Sequence, residues 1–414
     1  MTYIEFFSPV AIENICTCLT DTPGRVVLVG ADGRMMEKHA KNYDRVFKDR
    51  GENIEIICRT VKKYDLADGI KVLQDITDTY SDCVFDITGG DEILNLAMGI
   101  VFEKSGRKLQ IHKFNLRNGD IFDCDFDGKT VYRDTPKVSI RENMIIYGGD
   151  IKFGHGDNAT NFWDMTPEFA EDIKNIWTVS RDHNEVWNNL ITLLNTVESA
   201  GFCDGVFTTA RRDEVDRRLG TLKEFTHEKR LAVNALINCG LLLAFEYNER
   251  EIVVGYKSEQ VKKCLLRAGL ALEMKVFVTL SNLTEKNGDL MYNDVMNGVV
   301  IDWDGKFHDE TFSPSMVDTE NEIDIMAMHG VVPIFISCKN GNFNVDELFK
   351  LNSIAERFGG KYARKVLVAS KMPDGIAGEH LRNRMGDMKI HLIENFHKCS
   401  DRKFEEKFEK LWIK

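Results

Sequence analysis

The most evident chemistry of the chain lies in Asn321–Gly341, whose sequence is NEIDIMAMHGVVPIFISCKNG. Its alternation of polar and apolar residues predicts two strands joined by a tight turn. Side chains alternate between the faces of a strand, so Glu322 and Asp324 share one face of the first strand. Ser337 and Lys339 share one face of the second. Carboxylates bind hard divalent cations, and a nearby ammonium can orient a water or stabilise a phosphoryl charge. The pattern predicts either a metal-assisted phosphoryl-transfer site or an amphipathic hairpin with solvated charges.

The composition of the whole chain limits the classes of protein to which it can belong. The chain has 414 residues, of which 43% are hydrophobic and 29% charged, as in a soluble protein of two or three domains. Its net charge of −12 argues against a surface that binds nucleic acid indiscriminately. The ten cysteines include no CxxC pair, which favours reduced thiols in a cytoplasmic protein. The N-terminus lacks a signal-peptide pattern, and no apolar run is long enough to span a bilayer.

Residues 1–150 alternate short apolar strands with helical segments, which predicts a Rossmann-like domain with a parallel sheet. Ligands of such domains bind at the loops that follow the strands. The strongest loop signal is DITGGD, where a strand ends and a helix begins at once; an ordinary strand-to-helix turn with an N-cap is the alternative. No GxGxxG is present, which disfavours a dinucleotide coenzyme. The candidate ligand-binding residues are Ser8, Pro9, Gly30, Asp32, Thr88, Gly89, Gly90 and Asp91.

The remaining chain divides into two further regions. Residues 151–257 are mostly helical and end in a hairpin, an order similar to a winged helix. The segment from Arg211 to Arg230 is the most basic of the chain and predicts either a nucleic-acid contact or a solvated face interleaved with acids. Residues 258–414 have the order helix, three strands, helix and strand, which predicts an α/β/α sandwich with Glu273 on its first helix.

The motifs of residues 258–414 together resemble the PD-(D/E)XK nuclease fold. A helix with Glu273 precedes Asp294 on a strand, and NEIDIM, FISCKNG, a helix and the strand KVLVA follow. These segments are similar to those of the CRISPR-associated Rossmann-fold (CARF) nucleases of type III CRISPR systems. The DITGG segment of the N-terminal domain is similar to a CARF ligand loop, and the central region fits the same architecture.

This resemblance implies an α/β protein with three parts: an N-terminal CARF domain, a central winged-helix-like region and a C-terminal PD-(D/E)XK nuclease domain. It implies a homodimer that binds one cyclic tetra-adenylate across its two CARF domains and cuts RNA or DNA with Mn²⁺ or Mg²⁺. A two-fold ligand suits a two-fold dimer, because each half presents the same loops.

The resemblance also implies roles for individual residues. Asp324 is expected to be a catalytic metal ligand, and Lys339 is expected to orient water or stabilise the phosphate. Glu322, also assigned to the catalytic group, and Glu273 are expected as further metal ligands. The backbone carbonyl of Cys338 is one more candidate ligand.

One position departs from the family's Glu-x-Lys motif, because Ser337 stands where the glutamate is expected. A hydroxyl is a poor replacement for a carboxylate ligand. Glu322 could supply the missing charge from the neighbouring strand, and Glu273 or Glu347 could reach inward from flanking helices.

Three functions follow from these observations. The first is a metal-dependent endonuclease activated by cyclic tetra-adenylate in antiviral defence. The second is a ligand-responsive nucleic-acid-binding regulator in which Ser337 marks an inactive nuclease fold. The third is degradation of the activator by the N-terminal domain itself.

Overall fold

The computed structural model describes residues 1–106, 110–115, 120–124, 128–153, 159–305, 320–341 and 343–412. Within these ranges the chain forms three β-sheets of seven, four and six strands, with helices packed against them. The predicted α/β class is confirmed. None of the helices in the described ranges combines the length and the apolar composition that a membrane span requires.

The first sheet belongs to the N-terminal part. Its strands are β1 (Thr2–Phe6), β2 (Arg25–Gly30), β3 (Glu55–Thr60), β4 (Cys83–Asp86), β5 (Ile111–Asn115), β6 (Asp120–Cys124) and β7 (Thr130–Asp134). Its helices are α1 (Cys16–Asp21), α2 (Gly33–Asp49), α3 (Leu66–Thr79), α4 (Glu92–Ser105) and α5 (Ile140–Ile146). The strand order is β3-β2-β1-β4-β5-β6-β7, parallel from β3 to β5 and antiparallel beyond. The chain reverses direction across the sheet between β1 and β4, and that switch point is where open α/β sheets bind ligands.

The central part is a helical bundle with a four-stranded sheet. Its elements are α6 (Pro167–Asp182), α7 (Asn184–Ala200), β9 (Phe202–Asp204), β10 (Phe207–Arg211), α8 (Arg212–Leu219), α9 (His227–Asn238), β11 (Leu242–Tyr247), β12 (Glu251–Tyr256) and α10 (Glu259–Leu265), and β8 (Asp150–Ile151) precedes them. The predicted helices and the β11–β12 hairpin are present. The sequence prediction missed β9, β10 and α8, because these elements are short and largely polar.

The third sheet carries the acidic hairpin. Its part of the chain contains α11 (Leu270–Asn282), β13 (Asp294–Asp302), β14 (Glu320–His329), β15 (Val332–Lys339), α12 (Val345–Gly359), β16 (Arg364–Ala369), α13 (Gly375–Asp387), β17 (Ile390–Glu394) and α14 (Asp401–Glu409). The strand order is β17-β16-β15-β14-β13-β8, with β15, β16 and β17 parallel. Helices α11 and α14 cover one face of the sheet, and α12 packs on β15 and β16. The predicted hairpin and α/β/α order are confirmed.

The three parts share contacts across the expected boundaries at residues 150 and 257, and the domain division itself stays a prediction. Strand β8 pairs with β13 and so extends the third sheet. Helix α10 packs in the core of the central part. One hydrophobic core joins the first and third parts: Tyr43 of α2 and Met144 of α5 belong to the same cluster as Phe335 of β15 and Phe358 of α12. The first sheet, which carries the candidate ligand loops, is therefore connected to the β14–β15 hairpin through this core.

Strand β13 depends on a glycine beside the acidic hairpin. Gly298 has φ +58°, and a Cβ added there would lie 2.0 Å from Asn161 Nδ2. We expect Gly298→Ala to lower the free energy of unfolding by about 2–3 kcal/mol, since strain and a clash add. Gly288, with φ +90° and open space around it, is the matched control, and its alanine variant should lose about 1 kcal/mol. Urea unfolding measures the free energy lost in each variant. Equal losses would contradict the expected clash between the added Cβ and Asn161.

Candidate active site

Asp324 lies at the point where β14 and β15 separate. The antiparallel pairing of the two strands ends at Ile325 and Ile336. Beyond it, Asp324 Oδ2 accepts hydrogen bonds from the Cys338 N–H at 2.6 Å and from Ser337 Oγ at 3.2 Å. Burial raises the pKa of Asp324, although both donors favour its charged form. The hairpin thus ends in a carboxylate held by backbone and hydroxyl donors.

Lys339 is paired with a carboxylate from a neighbouring helix. Its Nζ lies 2.8 Å from Oε2 of Glu347, which is in the first turn of α12. Burial disfavours the ammonium, but the charges of Asp324 and Glu347 outweigh burial and raise the pKa of Lys339. Lys339 is therefore cationic at neutral pH, so its side chain can stabilise negative charge but is a poor proton acceptor.

Glu273 is a buried carboxyl group that α11 brings next to β14. Asn297 Nδ2 donates to Glu273 Oε2 at 3.2 Å and to the Asp324 carbonyl at 3.1 Å. Asn297 is itself held by Trp163, whose Nε1 donates to Asn297 Oδ1 at 3.0 Å. Burial and the charge of Asp324 raise the pKa of Glu273 to about 8, against the opposing effect of Arg267. Glu273 is therefore largely protonated at neutral pH when no cation is nearby.

Glu322 is engaged by an arginine that the sequence analysis did not single out. Arg267 Nη2 lies 3.1 Å from Glu322 Oε1, and both side chains are partly exposed. The structure therefore brings Asp324, Glu273 and Lys339 together, with Glu322 at the edge of the group. Neither Arg267 nor Asn297 belongs to a sequence motif. The sequence could have indicated Arg267 only through its position just before α11, the helix that carries Glu273.

Cys338 contributes its backbone and not its thiol. Its side chain points into the core beneath α11, and burial raises the pKa of the thiol well above its ordinary value. A thiolate ligand or nucleophile is therefore disfavoured. Its N–H is used by Asp324, and the suggested role of its carbonyl stays a prediction.

The carboxyl groups near Asp324 determine whether this site fits a divalent cation. Within the described ranges, no group of three His, Cys, Asp or Glu side chains is arranged to hold a metal ion. Two carboxyl groups, Asp324 and Glu273, are close enough for the charge of one to raise the pKa of the other. Mg²⁺ in phosphoryl-transfer sites is commonly held by one or two carboxylates together with waters and substrate phosphates. The donor set fits such a site, with Glu322 as a third ligand only if Arg267 releases it.

The predicted ligand loops meet at the switch point between β1 and β4. Ser8 and Pro9 follow β1, and Gly30 ends β2, while the Thr88–Asp91 loop follows β4. Asp32 caps α2 by accepting from Met35 N–H at 3.0 Å. These loops are adjacent because their strands are neighbours in the sheet.

Several polar groups of these loops are already used to hold the loops in place. Asp91 caps α4 by accepting from the Leu94 N–H at 2.9 Å, which is the N-cap alternative raised above. Thr88 Oγ1 accepts from the Phe114 N–H at 2.6 Å. Ser8 is buried, and its Oγ donates to Glu13 Oε2 at 2.5 Å.

The paired glycines allow the loop after β4 to approach β1 closely. A Cβ added at Gly89 would lie 2.1 Å from the Phe6 carbonyl oxygen. The Gly90 N–H donates to the Phe7 carbonyl at 3.3 Å. Loop packing thus accounts for the glycines, and a role for all eight loop residues in ligand binding stays a prediction.

A buried acidic pair beneath these loops escaped the sequence analysis. Glu5 of β1 and Asp86 of β4 are register partners and are almost fully buried. Thr17 Oγ1 lies 2.7 Å from Asp86 Oδ2 and 3.1 Å from Glu5 Oε1. Burial raises the pKa of Asp86 to about 6, and that of Glu5 well above its ordinary value. Asp86 also accepts from the Thr88 N–H at 2.7 Å, so the pair positions the loop.

The basic segment of the central part is largely neutralised by its own acids. Arg211 pairs with Asp213 at 2.5 Å, and Arg218 pairs with Glu214 at 2.8 Å. Lys229 is buried and donates to backbone carbonyls. These contacts agree with a solvated face interleaved with acids, the second alternative for this segment.

Neither the protein-family models nor the curated protein sequences give a significant match. Among solved structures, the chain is similar to Can2 from Sulfobacillus thermosulfidooxidans in complex with cyclic tetra-adenylate, at 15% identity and a TM-score of 0.65, over 100% of this chain and 99% of that one. It is also similar to protein VC1899 from Vibrio cholerae, at 12% identity and a TM-score of 0.70, over 99% and 97% of the two chains. This chain has their fold.

A third solved structure, described as a type III CRISPR defence DNA nuclease activated by cyclic oligoadenylate, matches at 14% identity and a TM-score of 0.48. The match covers 91% of this chain and 47% of that one, and at that score it carries no argument. Can2 and VC1899 align with this chain over nearly their whole lengths. The order of the three parts is therefore common to this chain, Can2 and VC1899.

The raised pKa of Glu273 predicts how stability depends on pH. The folded chain keeps a proton on Glu273 up to about pH 8, whereas the unfolded chain releases it near the ordinary value of 4.5. Stability should therefore fall as pH rises from about 4.5 through 8. Glu273→Gln, which carries no charge at any pH, should flatten this fall. Urea unfolding of metal-free protein between pH 5 and 9 measures it, with Glu246→Gln on an exposed strand as control; an unchanged slope would refute the assignment.

Proposed function

We propose that this protein is a divalent-metal-dependent endonuclease that cuts RNA or DNA and is activated by cyclic tetra-adenylate in type III CRISPR antiviral defence. The observation that carries the proposal is the grouping of Asp324, Glu273 and Lys339 at the end of the β14–β15 hairpin. The proposal is supported by a fold that extends over the whole of Can2, a protein solved in complex with cyclic tetra-adenylate.

Asp324 and Glu273 would hold the cation. A divalent cation in such a site lowers the pKa of a bound water and neutralises charge that develops on a phosphate. Glu273 would give up its proton on binding, since a nearby positive charge favours the carboxylate. The Asn297 amide would keep the Glu273 carboxylate oriented toward Asp324. Lys339, cationic at neutral pH, would stabilise the charge on the scissile phosphate.

The activator would bind at the loops that follow β1 and β4. Helix α4 begins there, and N–H groups at the start of a helix donate to anions. A homodimer would place two such sets of loops around one cyclic ligand, as two-fold symmetry requires. Binding would activate the protein to the extent that the ligand prefers the active arrangement of the dimer.

A second candidate function is a ligand-responsive regulator that binds nucleic acid without cutting it. The observation in its favour is that Ser337 stands where a carboxylate is expected and donates a hydrogen bond to Asp324. Only two carboxyl groups, those of Asp324 and Glu273, then remain to bind a metal ion, and a third is missing. Duplex binding without cleavage in any combination of Mn²⁺, Mg²⁺ and cyclic tetra-adenylate would favour this function.

Removal of the lysine should separate catalysis from ligand binding. We expect Lys339→Ala to reduce ligand-stimulated cleavage by about 100-fold or more, because a preorganised charge at the phosphate is lost. Cleavage of single-stranded RNA, single-stranded DNA and plasmid is measured with Mn²⁺ or Mg²⁺, with and without cyclic tetra-adenylate. Calorimetry should give unchanged affinity for the ligand, and Lys350→Ala, on the exposed side of α12, is the control. Full activity of Lys339→Ala would rule out the assigned role.

Metal binding has a readout that does not require activity. Mn²⁺ should raise the thermal unfolding midpoint of the wild-type protein by a few degrees, because a ligand that binds only the folded state stabilises it. Asp324→Asn and Glu273→Gln should abolish the shift, and Glu246→Gln should keep it. An equal Mn²⁺ shift in all four proteins would place the metal elsewhere.

A further inference from the structure

Helix α12 contacts the two candidate sites at its opposite ends. In its first turn Glu347 is paired with Lys339 at 2.8 Å. After its last turn comes a short 3₁₀ turn, Gly360–Tyr362, which contacts Glu13 of the N-terminal part. The helix has 15 residues and, at about 1.5 Å per residue, spans roughly 22 Å. One rigid element therefore lies between the ligand loops and the candidate catalytic lysine.

The contact at the second end is a buried carboxylate with three donors. Glu13 is 7% exposed. Its Oε1 accepts from Lys361 Nζ at 3.1 Å and from the Tyr362 hydroxyl, both of the 3₁₀ turn. Its Oε2 accepts from Ser8 Oγ at 2.5 Å, so the loop after β1 and the turn after α12 share one carboxylate.

This carboxylate resists separation of its partners. A buried charge that loses its donors is strongly destabilised, which makes a joint movement of loop and turn more favourable than their parting. Ser8 is further bound through its backbone N–H, which donates to Asn14 Oδ1 at 2.6 Å. We therefore expect a ligand that displaces the loop after β1 to displace the turn after α12 with it.

Helix α12 itself is held to the N-terminal part near the same end. Arg357 donates to the Tyr147 carbonyl at 2.7 Å, and Asn143 donates to the Phe358 carbonyl at 2.7 Å. Its apolar residues are buried in the core that both parts share. Packed helices shift as rigid bodies, so a displacement at the last turn reaches the first turn.

A displacement of α12 at its first turn affects Lys339. Lys339 interacts with both Glu347 and Asp324, so movement of Glu347 changes where the ammonium stands relative to Asp324. Glu347 does not belong to the carboxyl pair proposed to hold the cation, and it acts through Lys339.

We propose that α12 couples the loops that follow β1 and β4 to the active site, with the Ser8–Glu13–Lys361–Tyr362 cluster as its receiving end and Glu347 as the residue that positions Lys339. The regulatory meaning of this coupling rests on the proposed function, whereas the mechanical coupling does not.

The test reads the reactivity of the Lys339 amine in the full-length protein without ligand. Competitive labelling with acetic anhydride at pH 8, followed by mass spectrometry, gives a relative rate for each lysine. Glu347→Gln should change the Lys339 rate at least threefold, because the carboxylate that holds the ammonium in place is removed. Tyr362→Phe, at the other end of α12, should change the same rate at least twofold.

Controls separate coupling from general loosening. Lys350, on α12 itself, should label equally in all variants, and Tyr64→Phe, an exposed tyrosine, should leave Lys339 unchanged. Lys361→Met is a second variant at the receiving end in case Tyr362→Phe folds poorly. If Glu347→Gln changes Lys339 but neither variant of the turn does, the coupling proposal is overturned. If Glu347→Gln has no effect, the positioning role is overturned as well.

Addition of cyclic tetra-adenylate to the wild-type protein completes the experiment. A further change in Lys339 labelling, weakened in Tyr362→Phe, supports the regulatory meaning, and binding of the ligand without any change overturns it. If the wild-type protein neither binds the ligand nor cuts nucleic acid, the proposed function fails. The ligand-free comparison of variants still decides whether α12 couples its two ends.

Discussion

The hydrogen bond from the Cys338 N–H to Asp324 Oδ2 is the constraint on which the candidate active site depends. It takes over from the strand ladder at the residue where β14 and β15 part, so it fixes both the opening of the hairpin and the position of the carboxylate. A charge held in that buried place must be balanced, and the surrounding residues do so in different ways. Lys339 supplies positive charge, and Glu273, which accepts a hydrogen bond from Asn297, keeps its proton.

Local sequence patterns predicted the elements that carry the site. Period-two alternation identified β13, β14 and β15, and the helical period ended by Gly359-Gly360 identified α12, since each pattern reflects burial against one face. Asp324 and Lys339 were found because strand alternation places them on the same side of a hairpin. The pairing of Lys339 with Glu347 was not predicted: Glu347 was considered only as a substitute for the missing carboxylate, because its contact with Lys339 depends on how α12 crosses the sheet.

The contacts that sequence reasoning missed are those between distant segments. Arg267 meets Glu322 across 55 residues, and Glu13 meets Tyr362 across 349. No periodicity records such a meeting, since either partner alone is an ordinary surface-type residue. The ligand loops illustrate the same limit in another way: glycines and acids that suggest anion binding also serve close packing and helix capping, and the sequence does not distinguish the two uses.

Strand β8 gives the protein a particular order of assembly. Ile151 pairs with Ile301, so the ribosome must add 150 further residues before the first strand of this pair has its partner. At about 5–20 residues per second that interval is on the order of 10 s. Throughout it the nascent N-terminal part exposes the apolar surface that the third sheet will cover. The part of the chain that carries the acidic hairpin thus completes the fold of the part made before it. A gene fusion that exchanged one of these parts without the other would leave both without their packing partner.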